Sequence, residues 1–354
     1  MERLYKEIVD PNRKKIYEPA FQVLSAVSFF YSAAMKLRAR GYCSGWLSSN
    51  QLDCRVVSIG NLTLGGTGKT PMTLRLAQIL RELGFRPAIL SRGYKGTARG
   101  SVNVVCDGKH VLLPPEVAGD EPVMMARRLK DVPILTGADR RASGLYAMQE
   151  FGVNVLLLDD GYQHLALKRD CNILLLDCVN PFGNGRVFPA GYLREPVEAI
   201  ERADLICLTR CSEGVSFTLE NISNLDAKPL IKTKPRLSGW VDLDTGDHFS
   251  PDAFHGESMA AFCGIARPDD FTSLLDGAGV KIISMTIFPD HHKYSQDDLD
   301  RVFANSPGVR YLATTEKDAV KIGKILNKGS VLYAEIELDV LEGQDILTRY
   351  ILGE

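Results

Sequence analysis

The chain predicts an α/β protein, a parallel sheet flanked by helices, followed by a second and smaller α/β domain. Three observations carry this reading. Apolar, β-rich runs alternate with helical stretches along the chain, the pattern of a parallel sheet covered on both faces. One of those strands leads through a glycine-rich loop straight into a helix. Past residue 229 the pattern breaks into a strand-like stretch carrying Pro235 and a polar run at Asp244–Pro251, then resumes on a smaller scale.

The strands expected first are Arg55–Ile59, Pro87–Leu90, Val102–Cys106, Val132–Leu135, Val153–Leu158, Asn172–Leu176 and Asp204–Leu208. Helices are expected after Lys69, ended by Gly84, and at Glu121–Leu129 and Arg140–Gln149, where apolar residues recur at helical spacing. In the smaller domain the strands fall near Met259–Cys263, Lys281–Ile287, Tyr311–Thr314 and Val331–Ile336. The linker is placed at Pro229–Pro251, so the chain divides into residues 1–45, 46–230 and 231–354. At 354 residues it has room for about two domains.

A formal charge of -2 gives the protein no global attraction to a polyanion, so no nucleic-acid partner is expected. Its eight cysteines form no C-x-x-C pair and lie mostly in apolar strand-like runs, which reads as reduced, buried thiols rather than disulfides or a zinc site. Ala20–Met35 is apolar but interrupted by Gln22, Ser25, Ser28 and Ser32, and is followed at once by Lys36, Arg38 and Arg40. With its charges after the apolar run it does not fit a secretory signal, and it falls short of the roughly 20 apolar residues that span a bilayer. Two readings stay open: an interfacial helix with its cations toward anionic lipid, or a helix buried on the core.

The most informative stretch is Gly60–Thr70, Gly-Asn-Leu-Thr-Leu-Gly-Gly-Thr-Gly-Lys-Thr, set between a strand and a helix. Such a loop curls its backbone N–H groups around nucleotide phosphates, helped by the positive end of the following helix. In this reading Thr63, Leu64, Gly65, Gly66, Thr67 and Gly68 form the cradle. Lys69 reaches the β- and γ-phosphates, and the Thr70 hydroxyl ligates Mg²⁺. Thr63 stands where the usual pattern has glycine. The fold class is therefore P-loop NTPase-like, with ATP and Mg²⁺ implied.

In open α/β sheets ligands sit at the carboxyl ends of strands, so acids are sought there. Val153–Leu158 ends in Asp159-Asp160, the position of a Mg²⁺-ordering carboxylate. Asp177, ending the next strand, reads as a turn residue. Asp120-Glu121 stands at a helix start, where capping and a proton-accepting role compete. Arg194-Glu195 offers a guanidinium for phosphate and a carboxylate for metal, or else an ion pair. Phe288–Tyr294 puts His291 and His292 in a proline-broken loop, with no third ligand to recommend zinc.

At these residues the chain resembles the tetraacyldisaccharide 4'-kinases, which phosphorylate a lipid A precursor. The resemblance is carried by GNLTLGGTGKTP (Gly60–Pro71), SRGY (Ser91–Tyr94), GDEP (Gly119–Pro122), LDDGYQH (Leu158–His164), GNGRVFPAGYLREP (Gly183–Pro196), FPDHHKY (Phe288–Tyr294) and TEKDAVK (Thr315–Lys321), in the family's order and over most of the chain. Tyr162 and Tyr192 depart from the residues more usual there.

The resemblance implies transfer of the ATP γ-phosphoryl group to the 4'-hydroxyl of a tetraacyl disaccharide 1-phosphate. It places the enzyme at the cytoplasmic face of the bacterial inner membrane, peripheral or monotopic, with residues 1–45 as the membrane-associating segment. It implies Asp120 as base paired with His291, and Glu121, Asp159, Asp160 and Glu195 with Thr70 as metal-ordering groups. Arg194 becomes a phosphate contact, and Tyr94 and Asn61 substrate contacts. His292 is the weaker histidine candidate.

Two other classes are compatible with a P-loop alone: a soluble small-metabolite kinase and a nucleotide-hydrolysing switch. Against a switch, Leu64 stands where partitioning ATPases carry a signature lysine, and Thr315–Asp318 is not the N-K-x-D guanine reader of a GTPase.

Overall fold

A computed structural model describes residues 2–211, 228–323 and 330–354. The chain runs α1 (Glu2–Val9), α2 (Glu18–Cys43), β1 (Arg55–Asn61), α3 (Lys69–Glu82), β2 (Pro87–Ser91), β3 (Asn103–Asp107), α4 (Pro115–Ala118), α5 (Asp120–Arg128), β4 (Pro133–Thr136), α6 (Arg140–Phe151) and β5 (Val155–Leu158). It continues through β6 (Cys171–Asp177), β7 (Leu205–Thr209), β8 (Leu230–Asp242), β9 (His248–Phe249), β10 (Ser258–Cys263), α7 (Pro268–Gly277) and β11 (Lys281–Ile287). It closes with α8 (Gln296–Ala304), β12 (Tyr311–Thr315), α9 (Glu316–Ile322), β13 (Ser330–Glu342) and α10 (Gln344–Leu352). The fold class is the α/β, mostly parallel arrangement that the alternation of strands and helices predicts.

Two compact units form, both discontinuous: Met1–Lys69 with Val153–Lys234 and Val340–Glu354, and Thr70–Gly152 with Pro235–Asp339. The sequential division at 46–230 and 231–354 does not describe them. Hydrophobic period is the same before and after Thr70, so nothing local marks the point where the chain leaves one unit and later returns.

In the first unit β1 lies between β5 and β6, and the parallel pairing continues through β7 to β8. Residues 56–61 of β1 are all buried, as expected of a strand covered on both faces. β5 and β6 flank β1 on opposite sides, and the glycine-rich loop emerges at its carboxyl end, the edge where ligands of open α/β sheets sit. A core of Leu62, Tyr162, Leu174, Leu176, Ile206 and Leu208 sits under it. The C-terminal α10 is tied back to β1 by Arg55, whose Nη2 donates to the Tyr350 carbonyl at 2.8 Å.

Helix α2 settles little of its apolar surface on this unit. Phe21, Ser28 and Gly41 are its buried residues, while Phe29 and Phe30 are 70% and 72% exposed. The buried-helix reading therefore fails for the aromatic face. By length and composition Lys15–Cys43 is long and apolar enough to cross a membrane. Of the three cations expected to face lipid, Lys36 and Arg40 are exposed, Lys36 in an ion pair with Glu198 at 2.8 Å, while Arg38 donates to the Gln163 carbonyl.

In the second unit β11, β10, β12 and β13 run parallel, β2 and β4 pair in parallel, and β3 joins β4 antiparallel. The segment read as a linker is instead β8 and a turn: Trp240 faces Phe249 across an antiparallel pair, and the Asp242 carboxylate accepts from the N–H groups of Asp244 and Thr245. Its polar residues are turn chemistry, which composition alone does not distinguish from a connector.

Candidate active site

The first cluster grows from the end of β1. Asn61 is fully buried; its Nδ2 donates to the Thr63 carbonyl at 2.8 Å, and its Oδ1 accepts from Lys69 Nζ at 3.1 Å. It therefore clamps the loop and aims the lysine. Gln163 Nε2 donates to the Asn61 carbonyl at 2.9 Å and fixes the clamp from behind. Gly60 has no substitute here, since a Cβ would fall 2.6 Å from that of Tyr162. Gly65 and Gly68 take φ of +103° and +80°, open to glycine and strained for other residues.

Thr63 and Leu64 stand apart from the rest of the loop. Thr63 forms an antiparallel bridge with Leu193, and the Leu64 N–H donates to the Tyr192 carbonyl at 2.7 Å. That N–H is already engaged within the protein.

Lys69 Nζ also lies 3.5 Å from Asp160, which takes both oxygens to Arg194 Nη1 at 2.9 and 2.8 Å. Burial alone would raise the Asp160 carboxyl; the charges of Lys69 and Arg194 outweigh it and hold it below its ordinary value. Asp159 beside it is buried. Glu195 turns the other way from Arg194, to Arg202 at 2.8 Å, and its second oxygen Oε1 is buried without a hydrogen-bond partner among the described residues. The reading of Arg194-Glu195 as a mutual ion pair does not hold: each side chain has a different partner.

The second cluster lies in the other unit. Asp120 opens α5 and Glu121 follows it. His291, 171 positions away, brings Nδ1 to 2.9 Å from Asp120 Oδ2. Its Nε2 faces Lys317 Nζ at 3.3 Å, with Asp290 at 3.7 Å, too far for a hydrogen bond. An ammonium has donors and no acceptor, so Nε2 accepts, and the ring proton sits on Nδ1 and is donated to Asp120. Lys317 is itself held by Asp290 at 3.2 Å and Glu121 at 3.5 Å. Burial would lower the Lys317 ammonium, but these two carboxylates outweigh it and raise it.

Lys321, one turn along α9, lies 2.7 Å from Asp318 and 4.0 Å from Asp120 Oδ2. Burial would raise the Asp120 carboxyl; the hydrogen bond from His291 and the charges of Lys321 and Lys317 keep it below the ordinary carboxylate value. The His291 and Lys321 contacts both fall on Oδ2. The arrangement suits a carboxylate that stays ionised and takes a proton on its other oxygen. Tyr94 sets its ring edge-on to His291, centroids 5.8 Å apart, and remains 66% exposed.

The neighbouring His292 has a different occupation. It stacks on Phe288, and its Nε2 meets Asp298, the carboxylate of the capping box that opens α8. Of the adjacent pair, His291 is the one that meets Asp120. Reading by motif gave Lys317 and Lys321 no role, although their i, i+4 spacing on one short helix, next to an acidic residue, is a signal that they share a face.

Residues 20–353 match the sequence profile of the family described as tetraacyldisaccharide-1-P 4'-kinase, LpxK. A relative from Syntrophus aciditrophicus named tetraacyldisaccharide 4'-kinase is 40% identical over 327 residues, 88% of this chain and 87% of its own. Another of that name, from Geobacter metallireducens, is 40% identical over 92% of this chain and 96% of its own. Among solved structures, LpxK from Aquifex aeolicus, an "apo" form in complex with ATP, aligns with a TM-score of 0.78 at 31% identity, covering 94% of this chain and 99% of that one. With a P-loop lysine aimed from β1 and a carboxylate–histidine pair at the start of α5, the chain belongs to the tetraacyldisaccharide-1-P 4'-kinase family.

Proposed function

We infer that the protein transfers the γ-phosphoryl group of ATP to the 4'-hydroxyl of a tetraacyldisaccharide 1-phosphate, a step of lipid A biosynthesis. The observation that carries the chemistry is the Asp120–His291 pair at 2.9 Å with His291 oriented by Lys317. Asp120 takes the hydroxyl proton, the freed oxygen forms the new bond to the γ-phosphorus, and the bond from that phosphorus to the bridging oxygen breaks, leaving ADP. His291 keeps the carboxylate in its working orientation and shields its charge. Lys69 neutralises charge on the β- and γ-phosphates, and Arg194, aligned by Asp160, adds a second cation. No covalent nucleophile is required, since phosphoryl transfer needs mostly positioning and charge neutralisation.

The oxygen donors present fit Mg²⁺ in kind. Mg²⁺ takes one or two carboxylates and fills its shell with phosphate oxygens and water, so a buried strand-end carboxylate such as Asp159 suffices in kind. Asp159 and the Thr70 hydroxyl are the groups that would hold it, with Asp160, Glu121 and Glu195 as further acids now engaged by Arg194, Lys317 and Arg202. Bound there, Mg²⁺ supplies charge neutralisation at the β- and γ-oxygens.

The glycolipid reaches the enzyme from a membrane. Val23, Val27, Phe29 and Phe30 are exposed along α2, with Lys14, Lys15 and Arg40 exposed toward its ends. Such a face suits the headgroup boundary of the cytoplasmic leaflet of the inner membrane. The test is purified protein, labelled ATP and a panel of acceptors. Label is expected on the tetraacyl disaccharide 1-phosphate at its 4'-position; label on soluble sugars or nucleosides, with none on the lipid, would sink the reading.

A further inference from the structure

Strand β7 ends at Thr209, and the next residue, Arg210, takes φ +59°, a left-handed conformation uncommon outside glycine, asparagine and aspartate. This turn sends its guanidinium toward two partners. Nη2 meets Asp177 Oδ2 at 2.5 Å, and Nη1 donates to the Gly66 carbonyl at 3.0 Å. Asp177 ends β6, directly opposite Thr209 in the parallel register, and is 3% exposed. Its other oxygen accepts the Val179 N–H at 3.0 Å, so the carboxylate is fixed before it orients the arginine. What reads from sequence as a turn residue is therefore the anchor of an arginine that reaches the glycine-rich loop.

The Gly66 carbonyl belongs to the peptide that carries the Thr67 N–H. In a planar trans peptide the two point in opposite directions. Holding the oxygen toward Arg210 turns the Thr67 N–H to the far side. Without that hold the peptide is free to flip: Gly66 on its amino side has no side chain, a Cβ there would meet nothing within 4 Å among the described residues, and Gly65 and Gly68 one residue further out take positive φ. A flipped peptide presents a carbonyl oxygen where an anion needs a donor. Thr67 is itself buried, its hydroxyl without a hydrogen-bond partner among the described residues.

We propose that Asp177 and Arg210 are positioning residues for the nucleotide: they lock the Gly66–Thr67 peptide so that the Thr67 N–H is presented to a phosphate of ATP. The proposal rests on the reading of this loop as the triphosphate cradle. The arginine acts from outside, on the loop's oxygen, and the preorganised donors lower the ordering cost of binding. Its effect belongs to ATP affinity rather than to the chemical step.

The test is ATP binding by titration calorimetry on the full chain in detergent, with steady-state kinetics alongside. Arg210→Met is expected to weaken ATP binding about tenfold while kcat at saturating ATP stays within about threefold. Arg210→Lys recovers only part of the affinity, because a single ammonium lacks the fork that reaches both partners. Asp177→Asn weakens binding less, and adds nothing once Arg210 is methionine. Should the methionine variant melt early, Arg210→Gln, which keeps one donor, carries the measurement. Unchanged ATP affinity in a folded Arg210 variant overturns the proposal. So does a loss of kcat at unchanged affinity, which would make Arg210 a contact of the transferring phosphate. Wild-type protein that binds no ATP would instead remove the cradle reading beneath it.

Discussion

Asp160 and Asp120 are two partly buried carboxylates kept ionised against desolvation by cations, and they are built for different work. Asp160 spends both oxygens on Arg194 and stands 3.5 Å from Lys69, so it is a neutralised strut that aims two positive groups. Asp120 has a histidine N–H as its nearest partner, and Lys321 stands off at 4.0 Å on the same oxygen. A carboxylate with both oxygens already on an arginine nitrogen is a poor proton acceptor; one held through a single oxygen by a histidine ring N–H is a usable one. The comparison teaches that the ionisation state of a buried acid says less about its role than which of its oxygens are already engaged.

Asp120→Ala should sharpen that contrast most. General-base catalysis is worth about 10²–10⁴ in rate, and kcat should fall by that order. Lys317→Met comes next. It removes the donor that fixes the His291 tautomer and one of the charges that lower Asp120. We expect kcat to drop about tenfold and the acid limb of its pH profile to move upward, since a carboxyl held below its ordinary value rises when a cation leaves. A profile that stays in place would show that Lys317 does not act on the base.

The smallest effect on turnover belongs to the far end of α5. There Arg128 pairs with Glu316 at 3.0 Å, with Glu335 and Glu337 at 3.8 and 3.9 Å. Helix α5 packs on α9 with Asp120 near Lys321 at one end and Arg128 on Glu316 at the other. Burial pushes Glu316 up to about 7, against the pull of Arg128. A carboxyl raised on folding contributes its full stability below the unfolded value and loses it as pH rises through about 7. Arg128→Met should therefore destabilise more at pH 8 than at pH 5.5, by about 2–3 kcal/mol at the higher pH, with kcat changed less than about threefold. Thermal melts at both pH values check it; an equal loss at both would contradict the assignment of Glu316.

The two clusters also differ in how far they could be read without coordinates. Gly60–Thr70 is one continuous stretch between a strand and a helix, so its chemistry is written in adjacent letters, and the strands and helices around it are legible by period. Even there, the role of Asn61 as a clamp on Lys69 depends on a side chain folding back onto its own loop, which residue type does not announce. The pairing of Asp120 with His291 joins residues 171 apart and is visible in the sequence only through family resemblance. Lys317 and Lys321 look like an ordinary solvated helix face. Their burial comes from α9 packing on α5, a tertiary fact. The discontinuous units escape the sequence for the same reason, because the break at Lys69 falls inside a helix.

The division of labour between the two clusters is tested most directly by ATP affinity in Asp120→Ala, measured calorimetrically beside Lys69→Ala. Asp120→Ala is expected to bind ATP within about threefold of wild type while turning over at about 1% of its rate or less, and Lys69→Ala to lose affinity and turnover together. ATP binding lost in step with turnover in Asp120→Ala, or turnover retained, would contradict the account.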